Sequence, residues 1–186
     1  MAPAGAITAD YTIFENGTAY RAVLQINDTE RYTFATMGFM GEDVPQNAGE
    51  VNLTKEDMPA AFNWSRPWGA SSSISFPKGN YTISYVAPLK DNNLQAAYTK
   101  PYNVSVRIPQ NFSVQNPLLA GLSNGANVTK NPDNTTTVQW TKSFGFDLRF
   151  YSKSQEDLLF FFLQFMAILI VVLVIIPYVL SMRGQE

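Results

Sequence analysis

Cysteine and histidine are both absent from this chain of 186 residues. The first absence excludes disulfides, thiolate nucleophiles and cysteine-bound zinc. The second removes imidazole, the usual general base near neutral pH and a common ligand of haem and zinc. A domain outside the cytoplasm that has no disulfides must be stabilised by its core alone. Charge is also scarce, at 15% of residues, and a net charge of −2 provides no basic field for phosphates. Lys and Arg are scattered singly, so no nucleic-acid partner is expected. No metal or other cofactor is expected either. Catalysis would have to rest on carboxylates, a Ser/Lys pair or an oxygen-bound metal.

What the sequence does contain is one long apolar run. From Leu158 to Leu180 there is no charged residue and a single amide, Gln164. As a helix the run would extend about 34 Å, enough for a hydrocarbon core of roughly 30 Å. It lacks the polar stripe of a core helix, so it is expected to span a membrane. Phe160, Phe161, Phe162 and Phe165 load one end with aromatics, and Tyr178 and Pro177 lie near the other. The expected organisation is an extracytoplasmic domain over residues 1–151, a juxtamembrane linker over 152–157, the span over 158–180 and a short cytoplasmic tail over 181–186.

Sidedness is read from Asn-Xaa-Ser/Thr acceptors at Asn16, Asn27, Asn52, Asn63, Asn80, Asn103, Asn111, Asn127 and Asn134, all before the apolar run. Chance would supply roughly two or three in a region of this composition, so the excess points to N-glycosylation of a translocated domain. A Thr-rich β surface producing such triplets by composition is the competing explanation. The opening residues Met1 to Ala6 have neither a basic nor an apolar signal region, so an export signal is expected upstream of this start. A cytosolic tail-anchored domain is the alternative.

Before the apolar run the pattern is one of short β-type segments separated by turn chemistry. Ile7 to Phe14 and Thr18 to Ile26 flank Asn16-Gly17, which predicts a type I′ hairpin. Arg31 to Phe39 predicts a further strand. Ser72 to Phe76 and Tyr81 to Val86 predict a hairpin around Pro77-Lys78-Gly79-Asn80. Leu94 to Thr99 and Asn103 to Ile108 are divided by Pro101, and Ala126 to Lys130 and Thr135 to Thr141 flank Asn131 to Asn134. Alternation puts Val104, Val106 and Ile108 inward, with Asn103, Ser105 and Arg107 outward. It likewise puts Phe144, Phe146, Leu148 and Phe150 inward, opposite Gly145, Asp147, Arg149 and Tyr151. Trp140 shares an inward face with Val138. The expected fold is all-β, an antiparallel β-sandwich plus one C-terminal transmembrane helix; an open barrel would give similar local signals.

Gly41 to Gly69 breaks the strand rhythm and reads as a long loop with one short helix near Lys55 to Ala61. Its carboxylates, Glu42, Asp43, Glu50, Glu56 and Asp57, match no calcium-loop spacing and read as a solvated acidic surface. Met37, Met40 and Met58 could supply thioethers to Cu(I), but methionine is more often core filler. Trp64, Arg66 and Trp68 are the candidate partner-binding residues. Exposed, two indoles and a guanidinium would form a surface for a sugar ring or a protein. The competing role is that one indole plugs an end of the core.

From Tyr102 onward the chain resembles an uncharacterised archaeal family of membrane-anchored proteins, a domain of unknown function. The likeness rests on Val104-Ser-Val-Arg-Ile-Pro109, Asn116-Pro-Leu-Leu119 with Gly121, Val138-Gln-Trp140, Leu148-Arg-Phe-Tyr151 and the acidic pair Glu156-Asp157 before the apolar tail. It covers about residues 102–180 and implies an archaeal envelope protein. It carries over no catalytic or binding residue. The expected function is therefore that of a non-catalytic, membrane-anchored, N-glycosylated cell-envelope protein with a structural or partner-binding role. Its partners would be membrane lipid, through the helix, and envelope or membrane-complex proteins. An accessory subunit of a membrane complex and a carboxylate-based enzyme are the alternatives.

Overall fold

The computed structural model describes residues 7–38 and 42–178, with Met37 and Asp43 described for their backbone alone. The strands are β1 Thr8–Ile13, β2 Ala19–Thr33, β3 Ala35–Met37, β4 Asp43–Pro45, β5 Gly49–Lys55, β6 Met58–Pro59 and β7 Asn63–Ser65. They continue as β8 Ser73–Pro88, β9 Asn93–Ile108, β10 Phe112–Ser113, β11 Gly121–Leu122, β12 Asn127–Lys130, β13 Thr136–Arg149 and β14 Tyr151–Ser152. One helix, α1 Lys153–Ile170, follows and runs on through a π-helical turn, Val171–Ile175.

The fold is mostly β, as its sequence predicts, but its sheet is not the purely antiparallel arrangement expected. Ten strands form one sheet in the order β11-β13-β9-β1-β2-β8-β5-β6, with β12 also on β13 and β7 on β8. β1 runs parallel to β9, from Thr8 opposite Asn103 to Thr12 opposite Arg107. Alternate residues turn inward along each strand: Ala9, Tyr11 and Ile13, then Tyr20, Ala22, Leu24 and Ile26, then Val104, Val106 and Ile108 are all buried.

The long strands bend back over this layer where their register slips. In β2 the slip follows Ile26, with Asp28 at φ 56°. Beyond it, Tyr32 and Phe34 return across Tyr85, with ring centroids 6.1 and 5.2 Å away. In β13 the slip lies between Trp140 and Gly145, with Lys142 at φ 51°. Beyond it, the Phe146 ring comes within 5.0 Å of Trp140 and 5.2 Å of Tyr11. One sheet thus supplies both sides of a single core. Bulges of this kind add a residue to one strand and bend it.

The same slips correct several expectations. Phe144 is 63% exposed instead of facing inward, because the bulge resets the alternation between Trp140 and Phe146. Phe146, Leu148 and Phe150 are buried as predicted, and Tyr151, predicted outward, is buried too. The expected hairpin at Pro77 to Asn80 does not form, since β8 runs straight through it, and Pro101 does not divide β9. Both prolines fall where the ladder is offset, between the pairs at Ser75 and Gly79 and between those at Ala97 and Tyr102, so the N–H that each lacks is not required there. Gly145 sits at the second offset, where a Cβ would lie 2.7 Å from the Ala96 carbonyl oxygen.

The Asn16-Gly17 hairpin forms, but with a different turn. Only Gly17 has positive φ, and its N–H donates to the Phe14 carbonyl at 2.9 Å. Pairs of positive φ, the mark of type I′ turns, occur instead at Glu56-Asp57 between β5 and β6 and at Asp91-Asn92 between β8 and β9. The first of these turns replaces the short helix expected near Lys55 to Ala61, and β4 to β7 occupy most of the expected loop. The β12–β13 hairpin pairs Lys130 with Thr136 around the predicted turn.

Ser152 closes the last strand and N-caps α1, its N–H donating to Gln155 Oε1 at 2.9 Å. Residues 153–157, expected as a linker, are thus the first helical residues. The helix over Lys153–Tyr178 is long and apolar enough to cross a membrane, and none of its described residues is buried against the domain. Near its end Ile176 N–H bonds to the Val171 carbonyl, a wider turn next to Pro177, which has no N–H to donate. Val179, Leu180 and the expected tail 181–186 lie outside the described residues, as do Phe39 and Met40.

Candidate functional site

The three residues singled out for partner binding lie on β7 and the turn after it. β7 pairs antiparallel with β8, setting Trp64 opposite Ile74. Its indole stacks on buried Phe34, with centroids 5.4 Å apart and planes at 30°, and meets the edge of Phe62 at 6.1 Å. Arg66 places its guanidinium carbon 4.4 Å from the Trp64 centroid, a cation–π contact. Trp64 is 38% exposed, so it closes the core on one side and meets solvent on the other.

Trp68 differs. Ala70 N–H reaches the Pro67 carbonyl at 3.4 Å, and Gly69 has φ 73°, which sets Trp68 at the second position of a tight turn with glycine at the third. The indole is 102% exposed. Water contact over so large an apolar surface is unfavourable. Beside the turn, a groove of about 430 Å³ runs between residues 45–49 and 66–72. The local chain chemistry therefore builds a ridge: Trp68 at the crest, and the Arg66–Trp64 pair rooted on Phe34.

A second feature was not foreseen from the sequence. Six tyrosines, Tyr11, Tyr20, Tyr32, Tyr85, Tyr98 and Tyr102, line a cavity of about 470 Å³ between the two layers of the bent sheet. Their hydroxyls are paired. Tyr11 bonds Tyr98 at 2.8 Å, Tyr32 meets Tyr85 at 3.4 Å, Tyr102 donates to the Gln25 carbonyl at 2.8 Å, and Tyr20 accepts from Gln46 Nε2. Burial pushes the phenols of Tyr11, Tyr32, Tyr85 and Tyr98 well above their usual value, and that of Tyr20 upward. They are neutral donors and acceptors, not bases. A usable signal existed: Tyr11 and Tyr20 share parity with Ala9, Ile13, Ala22 and Leu24 on the inward faces of their strands.

The acceptor asparagines are spread over the domain. Asn16, Asn27, Asn52, Asn63, Asn80, Asn111, Asn127 and Asn134 are exposed, and Asn103 is half-buried. Three of them carry turns or bulges through Oδ1: Asn16 accepts from Thr18 N–H at 3.1 Å, Asn80 from Asp28 at 3.0 Å and Asn103 from Lys142 at 3.0 Å. Each leaves its Nδ2 unused in those bonds. Among the carboxylates, Glu50 pairs with Arg21 at 3.1 Å, and Glu56 and Asp57 form a turn. Among the described residues, no three Asp or Glu side chains gather as a metal site. Of the thioethers, Met58 is exposed.

The chain is thus a mostly β domain that ends in a helix long and apolar enough to cross a membrane. The chain belongs to the DUF5803 family, a family of unknown function, whose model matches residues 67–183. The match extends from the Trp68 turn through the helix, so both are features of the matched region. No curated protein matches the chain.

Proposed function

We propose that this chain is a non-catalytic cell-envelope protein, held to the membrane by its single C-terminal helix, whose N-glycosylated domain lies outside the cytoplasm and docks a partner on the Trp64–Arg66–Trp68 ridge. The observation that carries the reading is Trp68, fully exposed on a turn whose proline and glycine hold it outward. Trp and Arg dominate binding hot spots because they combine large apolar area with little rotamer loss and with directional hydrogen bonding. Eight exposed acceptor asparagines support translocation, since the modification needs surface Nδ2 atoms in an exported chain. The archaeal resemblance and the cysteine-free composition support an archaeal envelope as its setting.

A second reading, an accessory subunit of a membrane complex, is favoured by Gln164. This lone amide of the apolar run sits on a stretch of helix that nothing in the domain covers, and amides in hydrocarbon find partners on neighbouring helices. Purification of the full chain in mild detergent, with and without Trp68→Ala, tests the docking surface. The variant should melt like the parent and lose a stoichiometric partner, with affinity falling by about 2 kcal/mol or more. A partner retained at full occupancy would overturn the assignment to Trp68. Partner loss on Gln164→Leu alone would move the interface into the membrane.

A further inference from the structure

We infer that the turn Asn116–Ala120 is a second membrane contact, which seats Leu118 in the lipid interface beside the helix and fixes how the domain stands on the bilayer. The inference rests on the membrane-spanning reading of α1.

The Tyr151 hydroxyl lies where the domain meets the helix. It accepts the Asn116 N–H at 3.0 Å and reaches Glu156 Oε1 at 3.4 Å. The start of the turn is therefore held at the level of the first helical turn, close to where the apolar run begins at Leu158. The turn itself is braced from within. Asn116 Oδ1 accepts from Leu118 N–H at 3.0 Å, and its carbonyl accepts from Leu119 at 3.1 Å and Ala120 at 2.8 Å. Pro117 fixes one backbone dihedral of the same turn. Held this way, Leu118 is 74% exposed, and no part of the domain covers it.

A single exposed leucine means little by itself. Its position makes the difference, because its turn starts at Asn116, whose N–H bonds the Tyr151 hydroxyl, and that hydroxyl in turn donates to Glu156 in the first turn of the helix. A second tie stiffens the mount: Asn92 Nδ2, on the Asp91-Asn92 turn, donates to Gln155 Oε1 at 3.2 Å. With Ser152 as the N-cap, no slack chain separates sheet from helix. A domain mounted so stiffly presents one set of loops to the lipid, and Leu118 is the large apolar side chain that the 116–120 turn offers there. Burying a leucine side chain in an apolar medium is favourable, so the contact would hold the domain in one attitude instead of letting it swing about the helix axis.

The absence of cysteine makes the test clean. Full-length chains carrying Leu118→Cys, Met58→Cys or Phe165→Cys are nitroxide-labelled and reconstituted in phosphatidylcholine vesicles. Collision with lipid-soluble oxygen is compared with collision with an aqueous nickel chelate. Phe165, inside the apolar run, reports whether the helix enters lipid, and exposed Met58 reports full water access. The inference expects the Leu118 label to lose nickel access relative to Met58 and to gain oxygen access. A Leu118 label as open to nickel as Met58, with Phe165 protected, would overturn the second contact and leave the spanning helix intact. If Phe165 were open to nickel, the spanning reading would fail and this inference with it.

Discussion

Replacing Phe146 and, separately, Phe144 with alanine tests the bend on which the fold depends. The two residues are only two apart, so an uninterrupted strand would put both on the same face. The second register slip, between Ser143 and Gly145, interrupts that alternation, leaving Phe144 63% exposed and Phe146 buried. Phe146 meets Trp140 at 5.0 Å and Tyr11 at 5.2 Å, the latter edge-on. Phe146→Ala removes a buried ring and leaves a cavity, which costs about 3 to 5 kcal/mol. Aromatic pairing adds roughly 0.5 to 1.5 kcal/mol per contact beyond area, which places the loss in the upper part of that range. Phe144→Ala, at the surface, should stay within about 0.5 kcal/mol. For a domain of this size, a loss of 4 kcal/mol corresponds to a midpoint drop of roughly 10 °C. Thermal melts of the full chain in detergent, followed by tryptophan fluorescence, would read both. Equal losses for the two variants would refute the bulge and restore a single inward face from Phe144 to Phe150.

Gly145→Ala should destabilise by about 1 to 3 kcal/mol in the same melts, because the added Cβ would overlap the Ala96 carbonyl and neither strand can yield without breaking the ladder. Trp64→Ala should lower the midpoint measurably, since its indole stacks on Phe34, whereas Trp68→Ala should not. The tyrosine cluster predicts a pH limit. Below the ordinary phenol value of 10.0 both the folded and unfolded chains hold their phenol protons, and stability does not vary with pH through these groups. Above it the unfolded chain ionises while Tyr11, Tyr32, Tyr85 and Tyr98 remain protonated in the fold, so stability falls as pH rises. Tyrosinate absorbance from the cluster should therefore appear together with unfolding. Its appearance in the still-folded chain would contradict the burial argument.

Side-chain alternation was legible wherever a strand ran without a slip. Val104, Val106 and Ile108 turn inward as read, and Trp140 shares their layer. Proline misled the reading because Pro77 and Pro101 mark offsets within strands, and a local pattern cannot distinguish a proline that ends a strand from one that sits at a bulge. Parallel pairing of β1 with β9 joins residues almost a hundred positions apart, and no short-range signal records it. The apolar helix was evident from composition. Its union with the domain was not, since the ties run through Tyr151, Asn116 and Gln155, polar residues with no motif between them. The Trp68 turn was legible as chemistry, but its exposure depends on where β7 joins β8.

The central claim is that the domain stands outside the cytoplasm on a helix that crosses the membrane, and protease accessibility in intact cells tests it most directly. A tag after Glu186 and a broad-specificity protease added to whole cells should remove residues 7–151 and leave a small tagged, membrane-bound fragment. A domain that survives in intact cells and is digested only after lysis would contradict the claim and place it in the cytoplasm.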